Sequence, residues 1–480
     1  MDCANSHYHR NFHVGLDARI VIIGLPQVAE QLKADAEQAI WITQSYILAV
    51  TVMLLLIGRL SDIFGRVRIY SYGFAVFTVG SALTSLGTDP YQVIAFRAVQ
   101  GFGASLIFAN SIAIVTDSTP KRQLGLFVGI NQIAYRAGAL LGLTVSGIIL
   151  SFLDWRALFY INIPVGVFGT IWARRQLKET AQLDPNTKID WAGFLAFAAF
   201  LLSLMMALTF GGYGGTQILS VYGLMALSAV AFSAFVFRER RISYPLLDFR
   251  LFRIKQVTGG VLAVFLNVVA WATVLLLLSL QFQLIAGETP LQAGLRILPF
   301  EIAFLAVGPL SGTLSDRFGY ARFTVSGLAL GSVALFLFST ITEATSYLVL
   351  SIYMALLGVG TGLFLAPNLR GVMGALPMER RGVGSAVVTL FLNVGLAVSL
   401  NLAIVVMSFT APYDLITRIV SSVNPVAISA ADKLLFFESI KGTYLVVAII
   451  NAIAIVPSLL RFEQKPKAIK PDNTLAVVVE

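Results

Sequence analysis

Apolar residues fall along this chain in long stretches separated by short polar loops. Fourteen stretches stand out, near 12–30, 40–60, 68–87, 91–115, 124–150, 155–174, 190–211, 217–237, 257–285, 294–314, 322–342, 346–368, 383–409 and 441–461. Several approach or pass the roughly 20 residues that a helix needs to cross a hydrocarbon core, as in Val261 to Leu280 and Phe323 to Ile341. Backbone in lipid must satisfy its own N–H and C=O groups, so each stretch predicts a helix. The expected fold class is an all-α integral membrane protein with about fourteen transmembrane helices.

The pattern also repeats. Gly58-Arg-Leu-Ser-Asp-Ile-Phe-Gly65, between spans two and three, matches Gly312-Thr-Leu-Ser-Asp-Arg-Phe-Gly319, between spans ten and eleven. Eight spans separate the copies, which predicts a duplicated six-helix unit with two extra helices between the halves. Residues 1–176 then form an N-terminal six-helix bundle with a short or truncated first span. Residues 177–256 form a two-helix insertion with cytoplasmic linkers, and 257–480 a C-terminal six-helix bundle with a short tail. Six-helix halves related by an axis along the membrane normal support alternating access to a site near the midplane.

Composition narrows the choices. The chain is 57% hydrophobic and 12% charged, against about 25% charged residues in a soluble domain, so lipid is the solvent for most of it. The net charge of +9 does not indicate nucleic-acid binding, because the basic residues sit in short loops between apolar runs. Of 34 Lys and Arg, 25 fall in alternate loops on the side of the N-terminus and 6 on the other, which predicts cytoplasmic N- and C-termini. The single cysteine, Cys3, permits no intrachain disulfide or cysteine metal cluster. All three histidines, His7, His9 and His13, lie in the polar N-terminal segment, and no metal site is expected. The first residues show no cleavable-leader pattern, and no Gly-x4-Gly-Lys-Ser/Thr phosphate loop is present.

The two Gly-x-Leu-x-Asp-x-x-Gly loops, with Arg66 and Arg68 after the first, resemble the signature loop of the major facilitator superfamily. Leu16-Asp17 through Leu25-Pro26, Trp41-Ile-Thr-Gln-Ser-Tyr46 and Trp155-Arg-Ala-Leu-Phe-Tyr-Ile-Asn-Ile-Pro164 narrow the likeness to the fourteen-span drug:proton antiporters. Pro245-Leu-Leu-Asp-Phe-Arg-Leu-Phe252 and Pro290-Leu-Gln-Ala-Gly-Leu-Arg-Ile-Leu-Pro299 continue it across nearly the whole chain. The resemblance implies a conformational latch at Gly58, Asp62, Gly65 and Arg66, repeated at Gly312, Asp316 and Gly319. The competing reading is a tight turn in which Asp62 caps a helix and pairs with a neighbouring arginine.

Arg97 lies well inside the fourth span, where a charge is costly unless it faces a cavity or partner. Aligning Gly101 and Gly103 with Gly358 and Gly360 puts Met354 at the equivalent place, so the scaffold does not require the arginine. The resemblance links Arg97 to proton handling and Asp17 to coupling, with an N-cap of a shortened first helix as the other reading of Asp17. Glu301 is a candidate proton or cation site, or else a headgroup-level partner of Arg296. Arg136, below Asn131 and Gln132, binds an anionic group, neutralises a carboxylate or is structural. Trp41, Tyr46, Gln100, Asn131, Gln132, Asn267 and Trp271 are candidate cavity residues, with interfacial anchoring the alternative for the aromatics. The fifth span departs from the family, with Leu143 where antiporters usually carry proline.

The expected function is proton-driven export of amphipathic or cationic small molecules from the plasma membrane, by a monomer needing no cofactor beyond the proton gradient. The expected partners are the bilayer, protons and a small-molecule substrate, with no nucleic acid and any accessory export protein unknown. The alternatives are a carrier for one metabolite, anionic if Arg97 and Arg136 bind it, and a non-transporting sensor. An enzyme is not expected, because the chain carries no histidine or cysteine beyond His13.

Overall fold

A computed structural model describes residues 21, 24–118, 138, 142, 145–177, 179, 188–211, 218–376, 381–421 and 429–461. The N-terminal half contains α1 (24–31), α2 (Ala36–Phe64), α3 (Arg66–Leu86), α4 (Pro90–Ser118), α5 (145–152), α6 (Ala157–Tyr160) and α7 (Asn162–Gln176). The insertion is α8 (Trp191–Gly211) and α9 (Ile218–Glu239). The C-terminal half contains α10 (Lys255–Leu280), α11 (Pro290–Phe318), α12 (Tyr320–Ser339), α13 (Tyr347–Gly374), α14 (Arg381–Met407), α15 (Tyr413–Ser421), α16 (Ala430–Ile453) and α17 (Ile455–Leu459). Among the described residues there is no strand, and 12 helices are long and apolar enough to cross a membrane. They match twelve of the fourteen expected spans; the first and fifth fall largely outside the described residues.

The duplication is visible in local chemistry. α2 starts at a capping box in which Gln38 N–H donates to Asp35 Oδ1 at 2.8 Å and Asp35 N–H donates to Gln38 Oε1 at 3.0 Å. α11 starts at the matching box of Thr289 and Gln292. These boxes satisfy N–H groups that have no partner within the helix, and they move both starts four residues ahead of the apolar runs. α2 ends at Gly65 (φ 97°, ψ 135°) and α11 at Gly319 (φ 86°, ψ 138°), a conformation that an L side chain rarely adopts. Each glycine N–H donates to a serine carbonyl one turn back, Ser61 at 3.0 Å and Ser315 at 3.1 Å.

Packing repeats as well. α4 lies against α2 and α3, as α13 lies against α11 and α12. A side chain at Gly101 would collide with the carbonyl of Tyr46, and one at Gly358 with the carbonyl of Phe300. Tyr46 and Phe300 are equivalent positions, so small residues bring the same backbones together in both halves. In the insertion, α8 pairs with α9 and also packs on α2 and α14, bridging the bundles. Its base is closed by an Asp190–Arg238 ion pair at 2.6 Å and by Leu247 N–H donating to Glu239 at 2.9 Å. Exposed Leu219, Tyr222 and Val230 on α9 present apolar surface suited to lipid.

Two features differ from the apolar-run reading. The last span begins at Ala430 rather than near 441, because Ser429 caps it and Lys433, Glu438 and Lys441 lie within its first turns. The loop before it forms α15, which packs on α2 and α16 and buries Leu415, Ile416 and Ile419.

Candidate functional site

α2 and α4 place Arg97 inside the N-terminal bundle, 1% exposed. Its Nε donates to the Ile42 carbonyl at 3.3 Å and its Nη1 to Gln100 Oε1 at 2.6 Å. Gln100 in turn donates to Ser81 at 2.7 Å, extending the cluster to α3. The guanidinium lies 4.3 Å from the centroid of the Tyr46 ring and 5.5 Å from that of Phe159, distances at which a cation is attracted to an aromatic face. The sequence alignment places Met354 opposite Arg97, and the packing agrees. Each stands four residues before a glycine that meets equivalent backbone, so Arg97 and Tyr46 occupy places filled by Met354 and Phe300 in the other half. The polarity of this cluster therefore belongs to the N-terminal half and not to the scaffold.

Glu301 is buried on α11, in the other bundle from Arg97. The headgroup-level pairing with Arg296 is not what the structure shows, because Arg296 Nε donates to Glu288 at 2.6 Å. Beside Glu301, Phe300 stacks on Trp271 of α10 with centroids 6.0 Å apart. Asn267, one turn below Trp271, donates to Asn451 at 2.9 Å. Asn451 donates to the Leu328 carbonyl and to Ser332, both at 2.9 Å, so this polar set spans α10, α12 and α16. Trp41 is half-buried on α2, packed against the core of the C-terminal bundle. Asp17, Asn131, Gln132, Arg136 and Leu143 lie outside the described residues, as does the side chain of Asp316.

The first signature loop joins three parts of the chain. Asp62 pairs with Arg66 at 3.5 Å. The capping role expected of Asp62 falls instead to Glu179, which accepts the Val67 N–H at 2.9 Å at the start of α3. Arg59 donates to the Pro245 carbonyl at 2.8 Å, tying α2 to the insertion linker. Sequence reading missed Glu179; the available signal was a helix whose N-cap, Gly65, has no side chain to cap it. It also missed Arg461, which donates to Asn368 and lies 5.0 Å from the Tyr320 ring. Asn368 donates to Gly260 O at 3.1 Å, so the end of the last span is clasped to α10, α12 and α13.

The two bundles meet at the end carrying the 32–35 and 286–289 loops. There Leu25 and Ile40 oppose Leu276, Leu280, Leu400 and Ile404 around a void of about 20 Å³, with Thr43 its polar lining residue. Gly147 of α5 lies against Leu291 at the start of α11 at the same end.

Two helical bundles joined by an insertion, with buried polar clusters inside and lipid-facing apolar surface outside, define a polytopic transporter. The family model described as Major Facilitator Superfamily matches residues 11–400 and 260–477, and the chain belongs to that family. Its relatives include the riboflavin transporter RibZ of Clostridioides difficile (strain 630), 27% identical over 80% of this chain and 82% of that protein. Multidrug resistance protein Stp of Mycobacterium tuberculosis (strain CDC 1551 / Oshkosh) is 30% identical over 79% of this chain and 70% of that protein. The methylenomycin A resistance protein of Streptomyces coelicolor (strain ATCC BAA-471 / A3(2) / M145) is 28% identical over 83% of this chain and 84% of that protein. Among solved structures, a bacterial homolog of the human lysosomal transporter Spinster, inward-facing and unoccupied, aligns with a TM-score of 0.65 at 13% identity. That alignment covers 96% of each chain and carries the likeness of fold.

Proposed function

We propose that this transporter exports amphipathic or cationic small molecules from the cell in exchange for protons. The observation that carries the reading is the Arg97–Tyr46–Gln100 cluster, present in one half where the other holds Met354 and Phe300. A costly buried charge that the repeat does without is a functional group by default. Relatives named for multidrug and antibiotic resistance supply the substrate class. Asp17 and Glu301 are the proton carriers in this reading: a neutral carboxyl is cheaper than a carboxylate to enclose in an apolar interior, so protonation biases which state is populated. With cytoplasmic termini, the orientation that the excess of basic residues in alternate loops favours, the closed end of the bundles is the outer one.

The test is substrate-triggered proton movement in proteoliposomes, measured with an internal pH dye. Lipophilic cations should trigger flux that Asp17→Asn abolishes. The second reading, a carrier for one metabolite, is favoured by the relative named as a riboflavin transporter. It predicts flux with a single compound of the panel.

A further inference from the structure

Among the described residues, α2 is the N-terminal helix whose buried apolar residues join the core of the opposite bundle. Ile40, Leu48, Val52 and Leu56 form that stripe. Gln44 stands on the same stripe, one turn from Ile40 and one from Leu48, since residues four apart share a helix face. It is 0% exposed, and neither its Oε1 nor its Nε2 has a hydrogen-bond partner among the described residues. Because both ends of the carboxamide are unsatisfied, the conclusion does not depend on which way the amide is placed. Thr43, its neighbour, lines the small void between the bundles, and its hydroxyl also lacks a partner among the described residues.

A buried amide with neither hydrogen bond made is costly in an apolar setting. The small void between the bundles is lined by Thr43 and not by Gln44, and Gln44 is 0% exposed, so the amide is shut off from solvent in this state. Leucine or methionine would fill the same place without that cost. The penalty disappears once the bundles part and a ligand or solvent reaches the amide.

We propose that Gln44 is a substrate-binding residue that recognises a lactam or imide edge on a flat amphipathic molecule. A primary carboxamide offers one donor and one acceptor side by side. A cyclic C(=O)–N–H edge presents the complementary pair, so two parallel hydrogen bonds form at once. The surrounding Ile40 and Leu48 supply apolar surface for the rest of the ring system. This rests on the transport reading above, and names a substrate feature that the charged cluster around Arg97 does not select.

The experiment uses the full chain with its one cysteine removed, Cys3→Ser, and Gln44→Cys added, in sealed proteoliposomes. A membrane-impermeant methanethiosulfonate should label position 44 from one side, and lumiflavin, which carries an imide N–H, should slow labelling several-fold. In the full-length protein, Gln44→Met, which keeps the volume, should weaken lumiflavin binding by roughly tenfold or more. It should leave unchanged the weaker binding of 3-methyllumiflavin, whose donor is blocked. Position 44 unlabelled from both sides, no lumiflavin binding to the wild type, or equal lumiflavin affinity in Gln44→Met overturns the proposal. If lumiflavin binding depends on Gln44 while no compound drives proton flux, antiport fails and this assignment stands.

Discussion

Replacing Gly65 or Gly319 by alanine puts the same backbone demand on the two copies of one loop, yet the costs should differ. Both glycines hold nearly the same positive φ, so each alanine stores strain of about 1–3 kcal/mol. A Cβ at Gly319 meets nothing within 4 Å, whereas one at Gly65 would stand 2.5 Å from Glu179 Oε2. That oxygen is the acceptor for Val67 N–H at 2.9 Å. A glutamate can swing aside cheaply, so the added cost at Gly65 is the lost hydrogen bond to a charged acceptor, about 1.5–3 kcal/mol. The assay is thermal stability of the purified variants in detergent, as a double-mutant cycle with Glu179→Ala. Gly65→Ala should lower the midpoint more than Gly319→Ala, and the excess should vanish in the Glu179→Ala background. Equal effects, or an excess that survives removal of Glu179, would refute the reasoning.

Three further outcomes are expected. Arg97→Met, which copies the C-terminal half, should leave folding intact by size-exclusion profile but abolish substrate-linked proton flux, with Arg97→Lys intermediate because it loses the planar fork. Asn451→Leu, which breaks the ties to Asn267, Leu328 and Ser332, should destabilise the protein by about 1–3 kcal/mol through the unpaired groups left behind, seen as a lower thermal midpoint. Burial raises the Glu288 carboxyl above its ordinary value, opposed by Arg296. The folded state then holds its proton more tightly than the unfolded one, and stability is lost as pH rises from the unfolded value through the raised folded one. Glu288→Gln should flatten that part of the stability–pH curve, and a steeper curve would contradict the sign.

Hydropathy made most of the fold legible, because lipid removes the option of leaving backbone groups unpaired and so ties each long apolar run to a helix. The repeated loop located the symmetry, and the capping boxes at Asp35 and Thr289 carry the same message in residues outside that loop. What stayed hidden depends on partners distant in sequence. Glu179 reads as one more charge in a polar linker until α7 brings it to the start of α3. Gln44 reads as an ordinary polar residue in a span, since its burial without a partner exists only once α2 meets the opposite bundle. The start of α16 was obscured because Lys433, Glu438 and Lys441 look like loop residues, although two of them form an ion pair at 2.8 Å along the helix. Arg97 was legible because a lone arginine in an apolar run, missing from the repeat, stands out without any structure.

The most direct test of the central claim is internal pH in proteoliposomes of the wild-type protein under an imposed proton gradient, on addition of lipophilic cations. Antiport predicts proton movement that begins with substrate, saturates with its concentration and is lost in Arg97→Met. Substrate movement that proceeds at the same rate with the gradient collapsed, with no accompanying change of internal pH, would contradict it.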